Sequence, residues 1–221
     1  MLPEDDEYEV EGERVRTLPD LLAPGIRLLF VGYNPSLRAA RLGHYYAGRN
    51  NRFWELLAVG GLTPRRLAFT EDALLPAMGI GVTDLVKRPT RSAAEVTAAE
   101  FRAGAARVRT LVEALRPAVV AYNGKGVYLR AAGIVRAPWG LQEARLVPGV
   151  ADFVVPSPSG LARIPFAEKA GWYAGLGALL CSLADGNRMP HTESTESTGV
   201  GSSVAPRSWS QSMDPDSVDS V

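Results

Sequence analysis

The apolar residues of this chain occur in short runs separated by longer amphipathic segments. Residues 26–33, 118–124 and 152–157 are apolar runs of strand length, which predicts three buried strands. Residues 79–86 fit either a further strand or an extended turn. Runs without polar alternation are typical of strands that are covered on both faces.

Apolar residues at helical spacing lie between these runs. Thr97 and Glu100 form a T-x-x-E capping box before the longest predicted helix, which Pro117 ends. The other predicted helices cover residues 51–61, residues 70–78 with an interruption at Pro76, residues 124–133, and the segment that starts at Pro165. Strands that alternate with helices predict an α/β fold with a mostly parallel sheet covered on both faces.

The two ends of the chain differ from its middle in composition. Residues 1–20 contain eight acids and two bases, which predicts a flexible acidic arm. Residues 187–221 are rich in Ser, Thr, Pro and Gly, and we expect disorder because they cannot bury enough apolar surface to offset the entropy of ordering. The sequence therefore predicts one folded domain over residues 21–186.

The net charge of zero conceals a basic domain. With 24 acids and 24 bases in the chain, the two ends leave 11 acids and 20 bases in residues 21–186, a net charge of +9. Such a charge favours a polyanionic partner such as nucleic acid, although 17 of the 20 bases are arginine and codon bias would give the same excess.

Other functional classes are disfavoured by the composition. No apolar run approaches the roughly 20 residues of a membrane span, and the acidic N-terminus is unlike a secretory signal, so we expect a cytoplasmic protein. Cys181 is the single cysteine and only two histidines accompany it, which excludes a disulfide within the chain and argues against a structural zinc site. We expect neither a metal nor a cofactor.

In parallel sheets, ligands bind beyond the carboxyl ends of the strands. This rule selects residues 32–36 (GYNPS), 123–126 (NGKG) and 156–163 (PSPSGLAR). Asn34 follows a strand and is held away from helical geometry by Pro35, so its amide is suited to holding a water, but a plain Asn-Pro turn has the same sequence. The segment 123–126 resembles half of a phosphate loop and lacks the rest of that motif.

Several further residues have a functional and a structural interpretation. Tyr45 and Tyr46 lie among arginines in a loop, where they would stack on bases or pin the loop to the core. His44 is a possible acid or base, but a lone histidine in a loop is more often a structural or surface residue. Asp84 would accept a proton from water, or it would pair with Lys87, Arg88 or Arg91.

Four blocks of the sequence, in order and at matching spacing, resemble the mismatch-specific uracil-DNA and thymine-DNA glycosylases. They are GYNPS (32–36), GHYYAGRNNRFW (43–54), GVTDLVKRPT (81–90) and SPSGLARI (157–164), and the resemblance covers roughly residues 25–183. It implies a three-layer α/β/α sandwich with a short, mostly parallel central sheet. It also implies an enzyme that flips a damaged nucleotide out of DNA and hydrolyses its N-glycosidic bond.

The resemblance implies a role for each matched residue. Asn34 would position the attacking water, Gly32 and Tyr33 would contribute backbone contacts to the pyrimidine, and Tyr46 would stack on the base. A wedge that fills the vacated stack would consist of Ser159, Gly160, Leu161 and Arg163. Two departures are visible: Ser157 opens the last block where the family has Asn or Met, and Asp84 is a carboxylate at a position where the family varies, which makes it a second candidate for water activation.

The sequence therefore predicts a monofunctional, monomeric DNA glycosylase that acts on uracil, chiefly in G·U mismatches of double-stranded DNA. No lysine matches a family position that would supply an amine nucleophile, which favours simple hydrolysis over a lyase. Activity on single-stranded DNA and the full range of damaged bases stay open. The alternatives are a non-catalytic DNA- or nucleotide-binding module on the same fold and, in last place, an unrelated hydrolase.

Overall fold

The computed structural model describes residues 7–10 and 12–186 of the 221-residue chain. The disorder predicted for residues 187–221 and the first part of the acidic arm lie outside the described residues. Within them, no helix is both long and apolar enough to cross a membrane.

The described chain alternates strands and helices along most of its length. The strands are β1 (Glu7–Val10), β2 (Glu13–Arg16), β3 (Leu28–Gly32), β4 (Ile80–Asp84), β5 (Val119–Asn123), β6 (Gly140–Leu141) and β7 (Ala151–Val155). The α-helices are α1 (Leu37–Leu42), α2 (Phe53–Val59), α3 (Ala98–Leu115), α4 (Lys125–Ala132) and α5 (Phe166–Ala184). Short 3-10 turns cover Phe69–Leu74, Pro76–Met78 and Ala93–Glu95.

The central sheet of the described residues has the strand order β4-β3-β5-β7-β6. The first four strands are parallel, and β6 pairs antiparallel with β7 at one edge. Residues 79–86, for which the sequence left a strand or an extended turn open, contain β4 as an edge strand. The predicted α/β fold with a mostly parallel sheet is confirmed.

Successive residues of each strand pack against opposite layers. Leu28 and Phe30 of β3 belong to one buried cluster with α2 and α5, whereas Leu29 and Val31 belong to a second cluster with α3 and α4. This alternation follows from the two-residue period of a strand. Because both faces of the sheet are buried, the strands appear in the sequence as continuous apolar runs.

The predicted helices agree with the structure where a local capping motif sets the end of the helix. Thr97 Oγ1 accepts a hydrogen bond from the Glu100 amide at 3.2 Å, and the Glu100 carboxylate accepts one from the Thr97 amide at 2.9 Å, so the capping box opens α3 as predicted. The predicted helix over residues 70–78 is instead two 3-10 turns, because Pro76 cannot donate the hydrogen bond that would continue the first.

Residues 7–20 differ from the flexible acidic arm predicted for residues 1–20. Strands β1 and β2 form an antiparallel hairpin, and Val15, Thr17 and Leu18 are buried. Asp20 binds Lys87 and Arg107 through its carboxylate. The charge count does not reveal these contacts, because three apolar or neutral side chains among many acids are enough to dock a short segment.

Replacing Leu18 by alanine should lower the free energy of unfolding by about 2–5 kcal/mol, as is usual for a buried leucine. Leu18 is 1% exposed and belongs to the cluster that includes Phe30 and Tyr45. The matched control is Leu42→Ala, because Leu42 is 41% exposed and its truncation leaves little cavity. Denaturant unfolding of both variants measures the difference, and equal losses would contradict the docking of this segment.

Candidate active site

The carboxyl ends of the parallel strands bring the predicted segments to one edge of the sheet. Gly32 at the end of β3 is in register with Asp84 at the end of β4. Asn123 ends β5 opposite Val155 of β7, and the Gly124 amide donates to the Val155 carbonyl at 2.8 Å. The Arg52 amide donates to the Pro158 carbonyl at 2.9 Å, so the loop after β7 also contacts the loop that contains Tyr46.

Asn34 is half-buried, and hydrogen bonds fix the orientation of its amide. Nδ2 donates to the Arg88 carbonyl at 2.9 Å and to Thr90 Oγ1 at 2.7 Å, and Thr90 Oγ1 in turn donates to the Ser92 carbonyl at 2.8 Å. Carbonyl oxygens only accept, so they require the NH₂ side of the amide to face them. The Asn34 carbonyl oxygen is thereby directed the other way, where it can accept a hydrogen bond from a water.

Asp84 is 4% exposed, and its carboxylate lies against Gly32 on the neighbouring strand. A Cβ on residue 32 would overlap the Asp84 Oδ1 atom, so glycine at this position is what leaves room for the carboxylate. Burial raises the pKa of Asp84 to about 7, although Lys87 and Arg107 act in the opposite direction. A carboxylate with this pKa is suited to accept a proton near neutral pH.

The cations near Asp84 are engaged by another carboxylate. Lys87 Nζ contacts Asp20 Oδ1 at 2.6 Å, and Arg107 Nη1 contacts Asp20 Oδ2 at 2.8 Å. Arg88, another partner considered from the sequence, pairs with Glu100 at 2.6 Å. Asp20 therefore neutralises the two cations that would otherwise hold the pKa of Asp84 low.

Tyr46 lies beside Asp84 in an unusual backbone conformation. Its φ of 51° is in the left-handed region, which a non-glycine residue rarely adopts. Its ring stacks on Phe53 with centroids 3.8 Å apart, and its hydroxyl accepts a hydrogen bond from Asn123 Nδ2 at 2.6 Å. Tyr173 donates to Asn123 Oδ1 at 2.9 Å, so this amide bridges two tyrosines and fixes the ring of Tyr46.

The neighbouring residues Tyr45 and His44 have structural contacts. Tyr45 is 2% exposed, with its hydroxyl 3.3 Å from Lys87 Nζ. Asp72 accepts from the Tyr45 amide at 2.9 Å and contacts His44 Nδ1 at 2.9 Å. Of the two interpretations offered by the sequence, Tyr45 pins the loop to the core instead of being exposed for base stacking, and His44 anchors the same loop.

The side chain of Tyr33 points away from Asp84, toward the helices α3 and α4. Its ring contacts Phe101 edge-on at 5.0 Å, and the Arg130 guanidinium lies 5.3 Å from its centroid. Any part that Tyr33 plays at the sheet edge therefore comes from its backbone, as the resemblance implied.

The loop of residues 157–164 presents Leu161 to solvent, with 83% of the side chain exposed. Ser159 Oγ accepts a hydrogen bond from the Leu161 amide at 3.2 Å, which bends the loop at its tip. Gly160 packs against Asn50 so closely that a Cβ would lie 2.6 Å from the Asn50 Cβ. Arg163 is exposed beside the tip. The loop connects β7 to α5 and presents one large apolar side chain, Leu161, at its tip.

Comparison with known proteins decides the family. The family model of the uracil DNA glycosylase superfamily matches residues 19–176, which include every residue named above for the candidate active site. The chain belongs to the uracil-DNA glycosylase superfamily. This membership assigns it to the enzymes that hydrolyse N-glycosidic bonds in DNA, and DNA is accordingly the expected partner.

The chain is also similar to a solution NMR structure from Methanosarcina acetivorans, whose assignment as a uracil DNA glycosylase is provisional. The two share 22% identity with a TM-score of 0.49, and the match covers 74% of this chain and 96% of the other.

The structure of the present chain adds to the site a residue that the sequence analysis did not select as a site residue. Asn123 is 6% exposed and fixes Tyr46. The strand-end rule selected residues 123–126, but the only chemistry considered there was that of a phosphate loop. Lys125, the lysine of that segment, lies over the Trp139 ring at 4.6 Å. A signal for Asn123 was present, because it is a polar residue at the end of a buried strand, as Asn34 is.

No group of three or more His, Cys, Asp or Glu side chains with the arrangement of a metal site occurs among residues 7–10 and 12–186. Among the polar groups at this edge of the sheet, the Asp84 carboxylate can accept a proton and the Asn34 amide can orient a water.

Replacing Gly32 by alanine should reduce uracil release strongly, because the added methyl group would displace the Asp84 carboxylate. Overpacking of this kind usually costs about 1–3 kcal/mol of stability. The matched control is Gly171→Ala in α5, where an added Cβ meets nothing within 4 Å. Single-turnover rates and melting temperatures of both variants are the measurements. A Gly32→Ala protein with an unchanged rate would show that the carboxylate is not needed where it lies.

Proposed function

We propose that this protein is a monofunctional uracil-DNA glycosylase of the mismatch-specific uracil and thymine group, acting chiefly on G·U pairs in double-stranded DNA. The observation that carries the proposal is the buried Asp84 carboxylate, which lies against Gly32 at the same edge as the oriented amide of Asn34. An exposed apolar loop tip beside this edge supplies a means of opening the duplex.

The proposed reaction begins when the uracil nucleotide leaves the stack and enters the space at the carboxyl ends of β3 and β4. Tyr46 stacks on the base, and backbone groups of Gly32 and Tyr33 contact the pyrimidine edge. Leu161, carried by the turn of Ser159 and Gly160, fills the vacated position, while Arg163 meets a phosphate or the unpaired base. Extrusion costs least at a mismatch, which is the reason for expecting a preference for G·U pairs.

Hydrolysis then breaks the bond between C1′ of the deoxyribose and N1 of uracil. The electron pair of that bond leaves with uracil as an anion, and the sugar develops oxocarbenium character. The Asn34 carbonyl oxygen orients a water toward C1′, and the water oxygen forms the new bond there. Asp84 accepts the proton that the water releases, so the products are the uracil anion and an abasic site, and exchange of protons with solvent then yields neutral uracil and the Asp84 carboxylate.

A panel of single-lesion duplexes tests the proposal. The purified protein is incubated with G·U, A·U and G·T duplexes, with single-stranded uracil DNA and with undamaged DNA, and half of each sample is then treated with alkali. We expect cleavage in the G·U samples only after alkali, because a monofunctional enzyme leaves an intact strand. The Asn34→Ala, Asp84→Ala double variant controls for contaminating glycosylases. Strand cleavage without alkali would show a lyase, and intact uracil in every substrate would overturn the proposal.

Binding to a G·U duplex should weaken by about tenfold or more between about 50 and 200 mM salt, which corresponds to about two phosphate contacts. The domain of residues 21–186 has a net charge of +9, and Arg49, Arg52 and Arg163 are exposed in or next to the wedge loop (residues 157–164). Fluorescence anisotropy with a labelled duplex measures the slope. A flat response across this range would contradict a phosphate-dominated DNA interface.

A further inference from the structure

A pocket lies beside the wedge loop, and Asp84 does not line it. Its volume is about 320 Å³, and its walls come from the loop before α2, the wedge loop and the first turns of α5. The residues that define it are Arg49, Asn50, Arg52, Gly160, Phe166 and Lys169. Because Gly160 precedes the exposed Leu161, the pocket opens next to the tip that would enter DNA.

Lys169 is the least expected of these residues, because it is 4% exposed. Its Nζ donates to the carbonyl oxygens of Ser159 at 3.1 Å and Ala162 at 3.3 Å, on either side of the loop tip. Burial and the nearby Arg52 lower the pKa of this amine. A protonated lysine has three N–H donors, and the two loop carbonyls account for two of them.

The pocket concentrates positive charge. Arg52 lies over the Phe166 ring at 4.9 Å and contacts Glu55 at 3.3 Å, while its backbone amide binds the Pro158 carbonyl. Arg49 adds a further exposed cation. The described residues that line the pocket include three cations and no carboxylate. Cations that face one pocket repel one another, and an anion in it would relieve that repulsion.

We propose that this pocket binds a backbone phosphate of the DNA, and that Lys169 links the bound phosphate to the position of the wedge loop. Arginine and lysine are the side chains that most often bind phosphate, and a protonated Lys169 in the pocket lining has one N–H more than the two loop carbonyls accept. The same ammonium holds the carbonyls at residues 159 and 162, so a phosphate in the pocket draws the wedge loop toward the bound DNA strand. This inference rests on the proposed function only in taking DNA as the partner.

The test combines neutral phosphate replacements with neutral side chains. Methylphosphonate is placed at one linkage at a time, on each strand within several nucleotides of the uracil, and binding is measured by anisotropy. For the wild-type protein, one replacement should weaken binding roughly tenfold, the usual scale of a charge-assisted contact. For Arg49→Gln and Lys169→Gln, that same replacement should change binding less than about twofold, and the salt slope should fall by about one.

Arg116→Gln is the matched control. Arg116 is an exposed arginine just before β5, at the end of the sheet opposite to the carboxyl ends of the parallel strands. It removes the same charge and should keep the full methylphosphonate effect. Arg49 is exposed, so its variant keeps the test valid even if Lys169→Gln does not fold. A titration with inorganic phosphate separates a general anion site from a DNA site.

Each outcome of the experiment either supports or overturns the inference. Loss of the methylphosphonate effect in the pocket variants alone supports the inference. The inference would be overturned by equal and additive losses in all variants, by the absence of any sensitive linkage, or by a failure to bind DNA. Saturation by inorganic phosphate without competition with DNA would also overturn it. Base release by the wild-type protein is scored separately. A protein that shows the coupling but releases no uracil would overturn the proposed function and leave the phosphate pocket standing.

Discussion

Replacing Asp84 by alanine should slow single-turnover release of uracil from a G·U duplex by roughly 10²–10⁴-fold, the usual contribution of a positioned general base. Asn34→Ala should leave measurable activity and should slow the reaction no more than Asp84→Ala does. The reason is chemical: the Asn34 amide orients the water but takes no proton, whereas Asp84 has a pKa raised to about 7 by burial. Rates of both single variants and of the double variant, at saturating enzyme, measure the two contributions.

The pH dependence of the rate gives a second test of the same role. A general base acts when it is deprotonated, so the single-turnover rate should rise with pH and level off above the Asp84 pKa of about 7. In Asp84→Ala this rise should disappear. A folded Asp84→Ala protein with the wild-type rate and pH profile would return water positioning to Asn34 alone.

Stability separates a catalytic carboxylate from an ion-pair partner. Because the pKa of Asp84 is raised from its ordinary 3.8 to about 7, the folded state keeps a proton that the unfolded state releases between these values. The free energy of unfolding therefore falls as pH rises through this window, by up to about 1.4 kcal/mol per pH unit. Asp84→Asn removes that loss, so it should raise the melting temperature above about pH 7 and change it little near pH 4.

Asp20→Asn is the contrasting variant. Burial by itself raises the pKa of Asp20, but Lys87 and Arg107 bring it below its ordinary value. The stability from Asp20 is thus present above about pH 4 and lost as pH falls through the lowered pKa. Near neutral pH, Asp20→Asn should lower the melting temperature, because it leaves two largely buried cations without their carboxylate. A lower melting temperature of Asp84→Asn near neutral pH would contradict the assignment of Asp84 as a buried base that is not an ion-pair partner.

The second large effect concerns the loop tip. Leu161→Ala should reduce the single-turnover rate on a paired G·U duplex by about tenfold or more, which corresponds to about 1.4 kcal/mol or more of the unstacking cost that the leucine offsets. Uracil in single-stranded DNA should be released at nearly the wild-type rate, because no stack has to be refilled. Leu161 is 83% exposed, so its truncation should leave the melting temperature unchanged.

Val135→Ala is a suitable control for this experiment, because Val135 is 89% exposed and lies in the loop between α4 and β6. It removes exposed apolar surface away from the proposed interface and should affect neither substrate. Equal losses of Leu161→Ala on paired and single-stranded uracil would contradict the wedge and indicate a role in the chemical step.

The tertiary contacts bear on the ion pair that the sequence offered as the alternative role of Asp84. Lys87 is three residues from Asp84, which is the spacing of a plausible ion pair, yet its Nζ binds Asp20, 67 residues away. Asp84 ends a strand and faces Gly32, whereas the chain after it turns toward Leu18 and Asp20. Sequence proximity gives the distance along the chain, and only the fold decides which side chains share a volume.

The sequence by itself determined the α/β fold, because buried parallel strands and amphipathic helices have different apolar periods. It also placed Asn34 and the loop of Leu161 at one edge of the sheet, because the carboxyl ends of parallel strands meet there, whereas Asp84 was a candidate only for the chemistry of its carboxylate. The tertiary structure alone decided that residues 7–20 dock, that Asn123 fixes Tyr46, that Asp20 neutralises the cations near Asp84, and that Lys169 holds the wedge loop. Burial and contacts between distant residues set each of these, and a pKa near 7 is a consequence of that burial.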